Sequence, residues 1–178
     1  MTNSSMELLR LGVVIGTQGL RGELKLRGED PDFSVLLEHD EFYLRPAGGA
    51  PLACRILRRS SVRGNLVVKL AGLDTVEAVQ GLVGAAVLID LERLPALPQG
   101  AYYWHQLRGL RAFDKRDGEL GTLDKLFTTA AHAIYVINGR YGEVLIPAVA
   151  QFITEIDLDA GRILFDLPEG LVPKADDL

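Results

Sequence analysis

The side chains able to do chemistry are few and far apart in this 178-residue chain. Its three histidines, His39, His105 and His132, share no ligand-like spacing, so they read as solvated or packing residues rather than a metal site. Cys54 is the only cysteine, which excludes an internal disulfide and a multi-cysteine zinc site and fits a reducing compartment. Ser60 and Ser61 sit in a turn-like stretch with no base nearby, so neither reads as a nucleophile. Glu155, Asp157 and Asp159 alternate toward one face and resemble a carboxylate cluster, but such a pattern is ordinarily a solvated face. Gly16, Gly19 and Gly22 are spaced like a phosphate-cradling loop. That fingerprint must open a helix, whereas here the alternating segment 23–27 follows, so a glycine-rich connection between barrel strands is the better reading. The sequence therefore predicts no catalytic residue, no metal and no cofactor.

Binding chemistry is better represented. The stretch 101–110, Ala-Tyr-Tyr-Trp-His-Gln-Leu-Arg-Gly-Leu, holds the only tryptophan and two of the five tyrosines. Tyr102, Tyr103 and Trp104 either pack inward as a wedge between domains or face outward as an anchor for a partner, the two uses to which such rings are put. The net charge of −5 argues against nucleic-acid binding over the whole surface. Its distribution is uneven. Between residues 42 and 73 there is no acid but six bases, among them Arg55, Arg58, Arg59 and Arg63 around one expected hairpin. These four are either contacts to the phosphates of a nucleic acid or a solvated face. Past residue 93, 12 acids face 8 bases, a balance suited to a basic partner.

The elements that must position these residues are short. Apolar alternation and turn residues predict strands at 8–15, 23–27, 41–45, 52–58, 66–70 and 85–90, with a helical or irregular segment at 33–37 after a turn at 30–32. A hairpin is expected across Arg63-Gly64-Asn65. Asp74 to Glu77 reads as a capping box opening a helix at 75–80, with Gly81 as its left-handed C-terminal stop. Further strands are predicted at 110–113, 120–127, 134–137, 143–146, 152–157 and 162–165, turning at Asp117-Gly118, Asn138-Gly139 and Asp159-Ala160-Gly161. The prolines of 94–100 read as a short semi-rigid linker. The fold class is mostly β: a six-stranded barrel over 6–93, the linker 94–100, a second, smaller barrel or roll over 101–172, and a fraying tail over 173–178. Residues 1–5 lack the basic and apolar regions of a secretory signal, and no apolar run reaches the roughly 18 to 20 residues of a membrane span. A soluble, cytoplasmic monomer is expected.

The run Leu11-Gly-Val-Val-Ile-Gly-Thr-Gln-Gly-Leu-Arg-Gly-Glu-Leu-Lys-Leu26 resembles the opening of the RimM family of bacterial ribosome maturation factors. The segment 63–89, with Leu-Ala-Gly-Leu-Asp and Glu77-Ala78 before Gly81-Leu82-Val83-Gly84, is similar to the close of that family's N-terminal barrel. Tyr102-Tyr-Trp-His-Gln-Leu107, Asp117-Gly118, Leu145-Ile-Pro147 and Leu167-Pro-Glu-Gly-Leu171 resemble its C-terminal PRC barrel. Gln18 stands where the family usually has histidine, and Thr129-Ala-Ala-His-Ala133 replaces a more usual Thr-Gly-Ala-Asn-Asp. The resemblance implies a translation-factor-like barrel joined to a PRC barrel. It also implies a non-enzymatic factor that binds small-subunit ribosomal protein number nineteen and the small ribosomal subunit, promoting head maturation and 16S rRNA processing. The family's aromatic pair falls on Tyr102 and Tyr103, with Trp104 beside them. An enzyme working in a groove between the barrels and a regulatory PRC module unrelated to the ribosome are the rival readings.

Overall fold

Alternation in the segment after Gly22 shows how the first unit is built: Leu24 and Leu26 are fully buried, while Glu23, Lys25 and Arg27 point the other way. The computed structural model describes residues 6–29 and 31–173 and forms two compact units, Met1–Leu97 and Pro98–Leu178. Residues 1–5, read above for a signal, Asp30 of the predicted turn, and 174–178 of the predicted tail lie outside the described residues.

The first unit is a closed barrel in the order β1-β2-β5-β4-β3-β6, every neighbouring pair antiparallel. Its strands are β1 (Leu8–Gln18), β2 (Glu23–Gly28), β3 (Glu41–Arg45), β4 (Leu52–Val62), β5 (Asn65–Leu70) and β6 (Ala86–Asp90). Closure of β1 onto β6 removes the free edges that six short strands would otherwise expose. Leu11, Leu24, Leu26, Phe42, Leu44, Val68 and Ile89 fill the interior, and Leu36 of the 3-10 turn Pro31–Leu37 is fully buried with them.

Two strands are longer than predicted because bulges let their ladders continue. β1 shifts register between Val14 and Gly16 and runs to Gln18, and β4 shifts between Ile56 and Arg58 and runs to Val62. Ser60 and Ser61 are thus strand residues, and the turn is Arg63-Gly64, both at positive φ (50° and 77°), between paired Val62 and Asn65. Gly22 takes φ 67°, and a Cβ there would lie 2.7 Å from the carbonyl oxygens of Leu73 and Thr75, so the β1–β2 turn is seated against the start of the helix α1 (Val76–Gln80). The cap of that helix differs from expectation. Thr75 Oγ1 accepts from the Ala78 amide at 3.2 Å, while Asp74 is drawn to Lys69 Nζ at 2.8 Å. Gly81 is right-handed, and the left-handed turn comes at Gly84.

The second unit begins with α2 (Trp104–Leu107), a single turn not foreseen from sequence. It is followed by β7 (Arg111–Asp114), β8 (Gly118–Thr128), β9 (Ala133–Gly139), β10 (Gly142–Pro147), β11 (Ile153–Asp157) and β12 (Arg162–Phe165). The sheet order is β10-β9-β8-β7-β12-β11, antiparallel except for β7 and β12, which are parallel. One core joins Val144 and Ile146 of the first edge strand to Ile153 and Ile156 of the last, so the sheet curls around its own interior. The expected Asn138-Gly139 turn is displaced: Gly139 pairs with Gly142 and the turn residues are Arg140 and Tyr141. The glycine serves another purpose. A Cβ on Gly139 would meet the Leu120 carbonyl oxygen at 2.0 Å, so it permits a close crossing with β8, and Asn138 remains in the ladder with its amide on Asp124 at 2.9 Å.

Candidate functional sites

In the second unit, α2 sorts the aromatic cluster by helical position. Trp104 and Leu107, three residues apart, turn into the core and are each 5% exposed. Trp104 is therefore a supporting core side chain and not a surface anchor, a correction to its grouping with the tyrosines. Tyr102 is half-buried with its ring against the same core. Tyr103 and His105, also half-exposed, stack with centroids 5.7 Å apart and planes inclined by 24°. Gln106 Oε1 accepts from the Tyr103 amide at 2.9 Å, which pins the start of the turn and with it the ring pair. The result is a preordered aromatic surface with a rigid base, the arrangement that lowers the ordering cost of an interface anchor.

Several acids of this unit are paired within it. Arg162 reaches Glu155 at 3.3 Å and Asp157 at 3.8 Å, so the apparent carboxylate cluster is partly neutralised. Arg111 binds Glu119 and Lys115 binds Asp166. Asp114, 3% exposed, accepts from the amides of Arg116 (2.8 Å), Asp117 (3.1 Å) and Leu167 (2.9 Å). Burial pushes its carboxyl upward most strongly, but the three amides and the Arg116 charge together outweigh it and hold the group below the usual carboxylate range. Its geometry ties the turn that follows β7 to the segment after β12 and leaves it inaccessible to a substrate. Among the described residues, no three His, Cys, Asp or Glu side chains are grouped to hold a metal ion, and no helix is long and apolar enough to cross a membrane.

In the first unit the four predicted arginines do not form one patch. Arg59 is turned to structural use: Nη1 donates to the Leu36 carbonyl at 3.0 Å and Nη2 pairs with Asp40, tying β4 to the end of the 3-10 turn. Arg58 is exposed but paired with Glu23 at 2.8 Å. Arg55 lies opposite Glu41 on β3, which also binds Arg93. Arg63 stands exposed at the hairpin tip. Lys25 and Arg27, not singled out from sequence, lie on the outward face of β2, and the clean alternation of 23–27 was the signal for them. Arg59→Ala is expected to cost about 1–2 kcal/mol of stability by leaving Asp40 and the Leu36 carbonyl without their donor. Equilibrium urea unfolding checks this; no loss of stability would return Arg59 to the surface set.

A six-stranded antiparallel barrel followed by a curled sheet that opens on a short aromatic turn defines a two-unit β protein of the barrel-plus-PRC class. Residues 9–94 match the RimM N-terminal domain and residues 104–171 the RimM PRC barrel domain. The ribosome maturation factor RimM of Syntrophotalea carbinolica is 51% identical over 172 residues, covering 97% of this chain and 98% of that protein. The RimM of Geotalea uraniireducens is 31% identical over 170 residues, covering 96% and 98%. A crystal structure of a 16S ribosomal RNA processing protein RimM from Pseudomonas aeruginosa is 30% identical and covers 91% of this chain and 98% of its own, with a TM-score of 0.47. The chain belongs to the RimM family.

Proposed function

We propose that this chain is a ribosome maturation factor that works by binding rather than by catalysis, as a cytoplasmic monomer. The observation that carries the reading is the preordered, half-exposed aromatic surface of Tyr102, Tyr103 and His105 in the second unit, together with that unit's excess of acids. Rings held in place cost little to order on binding, and an acidic setting favours encounter with a basic ribosomal protein. The partner proposed is small-subunit ribosomal protein number nineteen, and the outcome is maturation of the small-subunit head and processing of 16S rRNA. The name borne by its relatives, ribosome maturation factor, supports the role.

The 94–100 connection, with two residues between its two prolines, acts in this reading as a semi-rigid tether of at most about 25 Å. Two modest contacts made by linked units reinforce each other through effective concentration. The chain is expected to co-sediment with free small subunits but not with assembled ribosomes, and to be retained by the purified ribosomal protein. Equal association with assembled ribosomes, or no retention by that protein, overturns the assignment and leaves a regulatory module unrelated to subunit maturation.

A further inference from the structure

We propose that the outward face of β2, from Arg21 in the preceding turn through Lys25 and Arg27 to Arg63 at the tip of the β4–β5 hairpin, is a docking track for the phosphodiester backbone of RNA. The register of the barrel assembles it. Glu23, Lys69 and Arg58 form one outward row across β2, β5 and β4. In the next row Val67, itself 4% exposed, lies between the more exposed Lys25 and Ser60. Arg27 follows two residues on, opposite Val13 of β1, at the end of the barrel from which the Arg63-Gly64 turn projects. The inward residues between these rows, Leu24 and Leu26, are fully buried, which fixes the intervening side chains on the outer face.

Charge accounting separates this track from the neighbouring bases. Arg58 is committed to Glu23, and Lys69 to Asp74. Glu23 is the acid of this face, and that ion pair offsets it. Glu29, whose charge reaches Arg27, is held by two guanidinium nitrogens of Arg10 at 2.6 and 2.7 Å. Arg21, Lys25, Arg27 and Arg63 form no ion pair with an acid among the described residues, and all are at least partly exposed. Lys25 and Arg27, on one face at i and i+2, are about 6.6 Å apart along the strand. A fixed, repeating array of uncompensated cations on a sheet face suits a polyanion whose charges also repeat, and binding of that kind releases counterions. The face contributes no aromatic ring to stack on bases, so it would hold the backbone without reading sequence.

The inference rests on the two-contact reading above, and the test separates the two. Full-length chain is titrated with protein-free 16S rRNA across a range of KCl, and separately with the purified ribosomal protein. In the variant Arg21→Gln, Lys25→Gln, Arg27→Gln, Arg63→Gln, the slope of log affinity for rRNA against log salt should fall by about three to four, roughly one per lost phosphate contact. Ribosomal-protein affinity should not change. The charge-preserving pair Lys25→Arg, Arg27→Lys should keep the wild-type slope, as should Arg111→Gln in the second unit. An unchanged slope in the fourfold variant overturns the track while leaving ribosomal-protein binding intact. So does a lost slope in the charge-preserving pair, or displacement of the rRNA by poly-L-glutamate at equal charge concentration, which would make the face a site for acidic protein.

Discussion

Asp114→Ala should lower the stability of the second unit by about 2–4 kcal/mol, because it strips the shared acceptor from three amides, two of them part-buried and the third, 53 residues away at Leu167, buried. Trp104 is the only tryptophan and lies in that unit's core, so its fluorescence during denaturant unfolding reads this loss separately from the barrel. Asp114→Asn keeps one accepting oxygen and should lose less. The pH dependence has a definite sign. A carboxyl whose folded value is depressed contributes its full stabilisation above its unfolded value of about 3.9, and loses it as pH falls through the lower folded value. Trp104-detected stability should therefore decline below about pH 4 in the native chain, with the Asp114 share of that decline absent from Asp114→Asn. Equal slopes in the two proteins would remove Asp114 from the acid response.

Tyr102→Ala combined with Tyr103→Ala should weaken binding of the ribosomal protein by about 2–4 kcal/mol, or roughly thirty- to a thousandfold, measured by calorimetry. The structure divides the effect. Tyr102 packs on the core, so its loss should also lower the unfolding midpoint, whereas Tyr103 stacks on His105 near the surface. Tyr103→Ala alone should therefore reduce affinity with little change in stability. If the double variant stays folded and binds as tightly as the native chain, the aromatic surface is not the anchor.

What could be read from the chain beforehand, and what could not, follows from how local each cause is. β3 at 41–45 and β12 at 162–165 begin and end where alternation and turn residues place them. β4 outruns its predicted end at 58 because a bulge, visible only in pairing with β5, restores the register after Leu57. Asn138-Gly139 carries a strong turn signal, yet the glycine answers to the backbone of Leu120, nearly twenty residues earlier. The site shows the same division. That Tyr102, Tyr103 and Trp104 form a cluster was legible, but which ring faces inward depends on a one-turn helix whose existence rests on Gln106 reaching back to the Tyr103 amide. Arg59 looked equivalent to Arg58 until Leu36 and Asp40 arrived from another segment, and the cations of β2 gain their meaning only when the closed barrel sets them beside the hairpin tip.

The pairing of first strand with last has a kinetic consequence. β1 is completed by β6, more than 65 residues downstream, and β7 lies parallel to β12, with residue 111 beside residue 162. Local hairpins can form as the chain is synthesised, but each unit lacks its closing strand until its end has emerged. The entropy of bringing these distant segments together makes closure the slow step. The first unit should therefore finish folding while the second is still being made, and a nascent chain stopped before β12 would expose the apolar inner side of β7 and β8 without a native sheet neighbour to cover that edge.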